Sequence, residues 1–141
     1  MKTLFYIQAF IFLATSGAIA VDFDKVIKPI LETRCVSCHG IEKKKGDLDL
    51  SNLISANKGG ENGPAISPGE PEKSELIHRI TLAHDDDDIM PPKGEALTTL
   101  QIQALKEWIS EEAKWPDGLI LVKKDSIKSE DLAKEALNLS S

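Results

Sequence analysis

The chain has 141 residues, a formal net charge of −6, 41% hydrophobic residues and only 5% aromatics. An acidic balance excludes a nucleic-acid or anionic-lipid binder that works through a basic surface, and the length suits one domain. So few aromatics are thin for a core of this size, and a bound apolar group would supply the missing bulk.

Lys2 is followed by an apolar run from Leu4 to Ala14, a polar patch Thr15-Ser16-Gly17, and Ala18-Ile19-Ala20. That order reads as a signal peptide over residues 1–20, cleaved before Val21, so the protein is expected in the periplasm or otherwise exported. The alternative is an uncleaved N-terminal anchor, but the apolar stretch falls short of a bilayer span. Cleavage removes Lys2 and moves the net charge from −6 to −7.

Phe23, Val26, Ile27, Ile30 and Leu31 recur at helical spacing and predict a helix running into Arg34. Asp22 or Asp24 can cap it, and Pro29 should kink it or split it in two.

Cys35-Val36-Ser37-Cys38-His39 comes next. Two thiols three positions apart, followed at once by an imidazole, form the attachment signature of c-type haem. On one helical turn these residues share a face, where each sulfur can add to a haem vinyl group and His39 is held under the iron. A zinc site would need two more ligands at close spacing, and the chain has only 2 cysteines. A thioredoxin-like pair would need a βαβ context that nothing downstream supplies, and a plain disulfide would not call for His39. The reading is one covalently bound haem c per chain, with Cys35 and Cys38 attached and His39 on the metal.

Lys43-Lys44-Lys45 and the short alternating stretch Gly46 to Leu50 follow, the latter too brief for an independent sheet. Residues 57–71, with Gly59, Gly60, Gly63, Pro64, Pro68, Gly69 and Pro71, predict a long loop. A second helix should start between Pro71 and Ser74 and carry Leu76, Ile77 and Ile80.

The candidates for a sixth iron ligand are Met90, His78 and His84. His78 lies in the second helix, and His84 would drag the run Asp85-Asp86-Asp87-Asp88 toward an apolar pocket at high desolvation cost. Met90 precedes Pro91-Pro92, which bias it to an extended backbone and stiffen the segment, so Met90 is preferred. The aspartate run lacks the spacing of an EF-hand loop and reads as solvated.

Thr98 and Gln101 predict a capping box. Ile102, Leu105, Trp108, Ile109 and Ala113 form a stripe ending near Trp115-Pro116, with Trp108 read as core and the helix before Cys35 as its partner. A C-terminal extension, residues 117–141, holds Leu119 to Val122 and a short amphipathic segment with Leu132, Ala136 and Leu137.

The stretches Val26 to Gly40, Gly46 to Ser51, Gly59 to Ile80, Met90-Pro91-Pro92 and Leu97 to Pro116 resemble the class I cytochrome c fold and, within it, the planctomycete-type cytochrome c domain. The resemblance covers residues 21–116. It implies an all-α fold of three to four helices wrapped around a single haem c, long Gly/Pro-rich loops, first and last helices that cross, His39 proximal and Met90 distal. The expected function is that of an exported monohaem c-type cytochrome, an electron-transfer protein rather than an enzyme. A haem subunit fixed in a larger respiratory or dehydrogenase complex, attached through the C-terminal tail or an uncleaved N-terminus, is one alternative. A peroxidase-like or gas-binding protein is the other, if Met90 is not a ligand. The expected partners are redox proteins, with Lys43, Lys44, Lys45 and Asp85, Asp86, Asp87, Asp88 as a docking surface.

Overall fold

A computed structural model of the chain describes residues 20–124. Asp22 opens the first element by accepting the Lys25 amide at 3.0 Å, and a π-helical turn, Phe23–Ile27, passes into helix α1, Lys28–Arg34. Pro29 sits in the first turn of α1, where a missing N–H leaves no intrahelical bond unmade. The expected division at Pro29 is therefore a wide turn followed by a regular helix. Ile27 and Leu31 are completely buried along its inner face.

Helix α2, Leu53–Lys58, has no counterpart in the sequence reading. Asn52 caps it, accepting the Ser55 amide at 2.9 Å, and it removes residues 57 and 58 from the predicted loop. Residues 59–70 remain irregular. A 3-10 turn, Pro71–Lys73, then leads into helix α3, Glu75–Ile80. Ser74 precedes α3 without capping it: its Oγ accepts the Ser67 amide at 2.9 Å and donates to the Glu70 carbonyl at 3.1 Å, pinning the loop back.

Helix α4, Thr99–Ser110, carries the expected capping box: Gln101 N to Thr98 Oγ1 at 3.2 Å and Thr98 N to Gln101 Oε1 at 2.9 Å. It ends before the apolar stripe does, because Glu112 and Ala113 adopt φ of 68° and 46°. The loop before α3 seals this end, with the Gly69 amide donating to the Ile109 carbonyl at 2.8 Å. The φ of +78° at position 69 favours glycine there. Ala113 stays fully buried although it is past the helix.

The first and last helical segments meet through an aromatic trio. Ring centroids lie 5.8 Å apart for Phe23 and Trp108, 4.9 Å for Phe23 and Trp115, and 5.9 Å for Trp108 and Trp115, all tilted. Trp108 is buried, and its indole N–H donates to the Lys114 carbonyl at 2.9 Å, so it is a core residue. Beyond Pro116 the chain lies back on the domain: Leu121 is buried with its amide on Ser51 O at 2.7 Å, and Lys124 N bonds Glu32 O at 3.1 Å. Among the described residues there are four α-helices and no β-strand, and no helix is long and apolar enough to cross a membrane. The predicted signal peptide, save Ala20, and the segment holding Leu132, Ala136 and Leu137 lie outside the described residues.

Candidate functional site

Helix α1 delivers the chain to Cys35, whose amide and that of Val36 both bond to Leu31 O at 3.0 Å. The regular helix stops at Arg34, and residues 35–38 form a separate turn. Cys38 N and His39 N both reach the Cys35 carbonyl, at 3.1 and 2.9 Å. This is the single turn that the three-then-one spacing of Cys35, Cys38 and His39 needs, set off from the helix that positions it. Gly40 closes it, because a Cβ there would lie 2.5 Å from the Val36 carbonyl oxygen.

The main chain then doubles back. Gly40 N bonds Lys43 O at 2.8 Å, Lys45 N bonds Cys38 O at 3.0 Å, and Leu50 N bonds His39 O at 2.8 Å. This staple brings the Lys45 carbonyl to His39 Nδ1 at 2.9 Å. A carbonyl can only accept, so Nδ1 carries the proton and the neutral ring presents Nε2 as its donor lone pair. Burial lowers the His39 pKa, the dominant effect against the raising influence of the Lys45 bond. The ring is held neutral and pointed, as a metal-ligating imidazole must be.

His39, Cys35 and Cys38 line a cavity of ≈ 330 Å³ that also takes in Met90, within the range of small-molecule sites. Leu48, Leu50, Ala65, Leu76, Ile80 and Leu97 give it apolar walls. An adjoining lobe of ≈ 290 Å³ shares Cys38, His39, Arg79 and Met90 and reaches the loop at Gly60 and Gly63. Both cysteines are free. Burial pushes the Cys35 thiol up to about 12, so it is not the exposed thiolate of a redox dithiol. Among the described residues, no three His, Cys, Asp or Glu side chains cluster as a metal site.

The family model described as Planctomycete cytochrome C matches residues 35–94. Over those residues the chain is similar to a planctomycete-type cytochrome c domain. No curated protein and no solved structure matches the chain. The matched span runs from the first cysteine of the attachment motif past Met90, so it contains the cavity's thiols, imidazole and thioether. A cytochrome c domain implies haem c, and the residues present fit that group. Two thiols and an imidazole with a free Nε2 face an apolar cavity. In its wall Arg34 Nε is buried without a hydrogen-bond partner, although Nη2 donates to the carbonyls of Glu95 and, at 3.2 Å, Ala96. A carboxylate, which haem carries on one edge, is the partner an unpaired buried guanidinium nitrogen lacks.

Of the residues singled out in the sequence, Cys35, Cys38, His39, Lys45 and Met90 line the cavity, and Asp88 lines the adjoining lobe. His78 and His84 are exposed and contribute to neither wall. Lys44 is engaged by Asp49 at 2.9 Å and Asp88 by Arg79 at 2.8 Å. Arg34 and Arg79 escaped the sequence reading. Arg79 had a visible signal, Glu75 four residues earlier on the same helix; Arg34 had none.

Proposed function

We propose that the protein is an exported monohaem c-type cytochrome that carries one electron at a time between redox partner proteins. Cys35 and Cys38 would hold the macrocycle, each thiol adding its S–H across a vinyl double bond so that no atom is lost. His39 Nε2 and Met90 Sδ would be the atoms that hold its iron. The observation that carries this reading is that the Cys35–His39 turn and Met90 line one cavity while His78 and His84 do not. When bound, the group supplies a reversible one-electron change at iron. The chain's residues do the rest. The Lys45 carbonyl fixes the His39 ring and strengthens it as a donor, Met90 would occupy the position a substrate or gas needs, and the leucine and isoleucine walls exclude water.

The leader read over residues 1–20 supports a site of action outside the cytoplasm. The same reading makes the charged rims a docking surface: Lys43 and Lys45 beside the attachment turn, and Asp85, Asp86 and Asp87 before Met90, are exposed. Lys44 and Asp88 are spent on internal ion pairs. Steering by such charges acts on association rate more than on affinity.

The deciding experiment is spectroscopy on the purified holoprotein and its Met90→Ala variant. The colour should stay with the protein in acid acetone, and the oxidised wild type should show the thioether-to-iron charge-transfer band. Met90→Ala should lose that band and bind carbon monoxide. Extraction of the colour would end the covalent assignment, and an unchanged Met90→Ala spectrum would remove Met90 from the iron and favour a peroxidase-like or gas-binding role. Isolation of the native protein only within a membrane complex would replace the free carrier by a subunit.

A further inference from the structure

We propose that Arg79 is the positioning residue for Met90, holding the ligand loop to the domain at both its side chain and its main chain. The inference rests on the His39/Met90 ligation proposed above. Helix α3 places Glu75 and Arg79 one turn apart on one face, and Glu75 Oε1 takes Arg79 Nε at 2.6 Å. That bond fixes the plane of the guanidinium. Its Nη1 is then directed to Asp88, bonding Oδ1 at 2.8 Å and the main-chain carbonyl at 3.4 Å. The carbonyl of the same arginine accepts the Met90 amide at 3.1 Å. Residues 88 and 90 are thus both tied to one residue at the end of α3, and Arg79 and Met90 face the same cavity.

The rest of the loop offers little to replace this tie. The bonds from Asp86 N to Ala83 O at 3.0 Å, Asp88 N to Asp86 Oδ1 at 2.9 Å and Ile89 N to Asp86 O at 3.2 Å run within the loop. They shape it without anchoring it. Asp85 to Asp88 are exposed and repel one another, so the guanidinium also offsets the field that would spread them. An isolated surface ion pair would count for little. Here the Arg79 side chain is only 19% exposed and serves two carboxylates, which makes it a network. Its Nε and Nη1 are engaged by Glu75 and Asp88, whereas Arg34 keeps a buried nitrogen unpaired. The two cavity arginines therefore divide their work: Arg34 is left for a carboxylate of the bound group, and Arg79 holds the chain.

The test is ligand competition on the ferric holoprotein. Imidazole is titrated against wild type, Arg79→Gln, Arg79→Lys and Lys106→Gln, following loss of the thioether charge-transfer band, with the melting temperature of each recorded. Lys106 forms an ion pair with Glu72 at 3.2 Å and lines neither lobe, so its variant reports general loss of an ion pair. Arg79→Gln should raise the apparent imidazole affinity about tenfold, equivalent to about 1.4 kcal/mol. Arg79→Lys should fall between it and wild type, and Lys106→Gln should match wild type. Asp88→Asn keeps the main-chain bonds and should shift in the same direction by less, so it serves if Arg79→Gln does not fold. An Arg79→Gln titration equal to wild type, an equal shift in Lys106→Gln, or an unshifted Asp88→Asn each overturns the proposal. A wild type lacking the band, or a Met90→Ala spectrum unchanged from it, overturns the ligation itself, and so is told apart from failure of the latch alone.

Discussion

Asp49→Asn isolates what one buried charge does for the loop that holds His39. Asp49 has a side chain only 10% exposed; its Oδ2 pairs with Lys44 at 2.9 Å and its Oδ1 accepts the Ser51 amide at 2.9 Å. Lys44 and Asp49 bracket the segment that supplies the Lys45 carbonyl to His39 Nδ1. A hydrogen bond to a charged group is worth about 1.5–3 kcal/mol against about 1 for a neutral one. An ion pair with the half-exposed Lys44 adds about 0.2–1 kcal/mol. Asparagine keeps the neutral bond, so the variant should be about 2 kcal/mol less stable at pH 7. That is a fall in melting temperature of roughly 8–16 °C for a domain of this size.

The pH dependence gives the sharper check. Burial pushes the Asp49 pKa up, but Ser51 and Lys44 outweigh it and hold it below the usual carboxylate value. The unfolded chain then binds the proton more readily than the fold does, so this stabilisation is full above the unfolded pKa of about 3.9 and is lost as pH falls through the lower folded value. Denaturant titrations of wild type and Asp49→Asn, run in parallel from pH 7 down to about 2.5, should converge at the acid end. A stability gap that stays constant across the series would show that the charge contributes nothing and that the variant acts through shape alone.

Gly40→Ala drives a Cβ to 2.5 Å from the Val36 carbonyl; overpacking of backbone against backbone should lower stability by about 1–3 kcal/mol, read from the denaturation midpoint, together with reduced yield of coloured protein. Trp108→Phe removes the indole donor to Lys114 O and part of a buried ring system, and should lose about 2 kcal/mol in thermal unfolding while leaving the visible spectrum unchanged. Met90→His should keep the iron six-coordinate and lower its potential in an electrochemical titration, because a thioether favours the reduced state more than a second imidazole does.

What the sequence made legible was local. The Cys35-x-x-Cys38-His39 spacing is set by covalent chemistry, and the caps at Asp22 and Thr98/Gln101 are satisfied within one turn. Pro29 announced a change of helix because its ring is tolerated in a first turn and not in a helix interior. Features closed by distant chain were hidden. Helix α2 is only six residues long and would be marginal in isolation. The early end of α4, at the positive φ of Glu112 and Ala113, is met by the distant Gly69 amide at Ile109, which the continuous stripe to Ala113 could not reveal. Lys43-Lys44-Lys45 read as one basic cluster, yet its members do three jobs: Lys43 offers its carbonyl to Gly40, Lys44 pairs with Asp49, and Lys45 offers its carbonyl to His39.

On the proposed ligation, the two sides of the iron are secured by different physics. His39 lies inside a closed main-chain staple, with its amide on Cys35, its carbonyl on Leu50 and its ring on Lys45; only its ring nitrogen is left to vary. Met90 has one main-chain bond, to Arg79 O, and reaches the domain otherwise through a guanidinium that must balance two carboxylates. Backbone bonds within a turn are insensitive to side-chain change, whereas an ion-pair latch at a cavity rim responds to substitution of its charges. The imidazole side is therefore a fixed point, and the thioether side is where a change of a single charge can alter how firmly the sixth position is held.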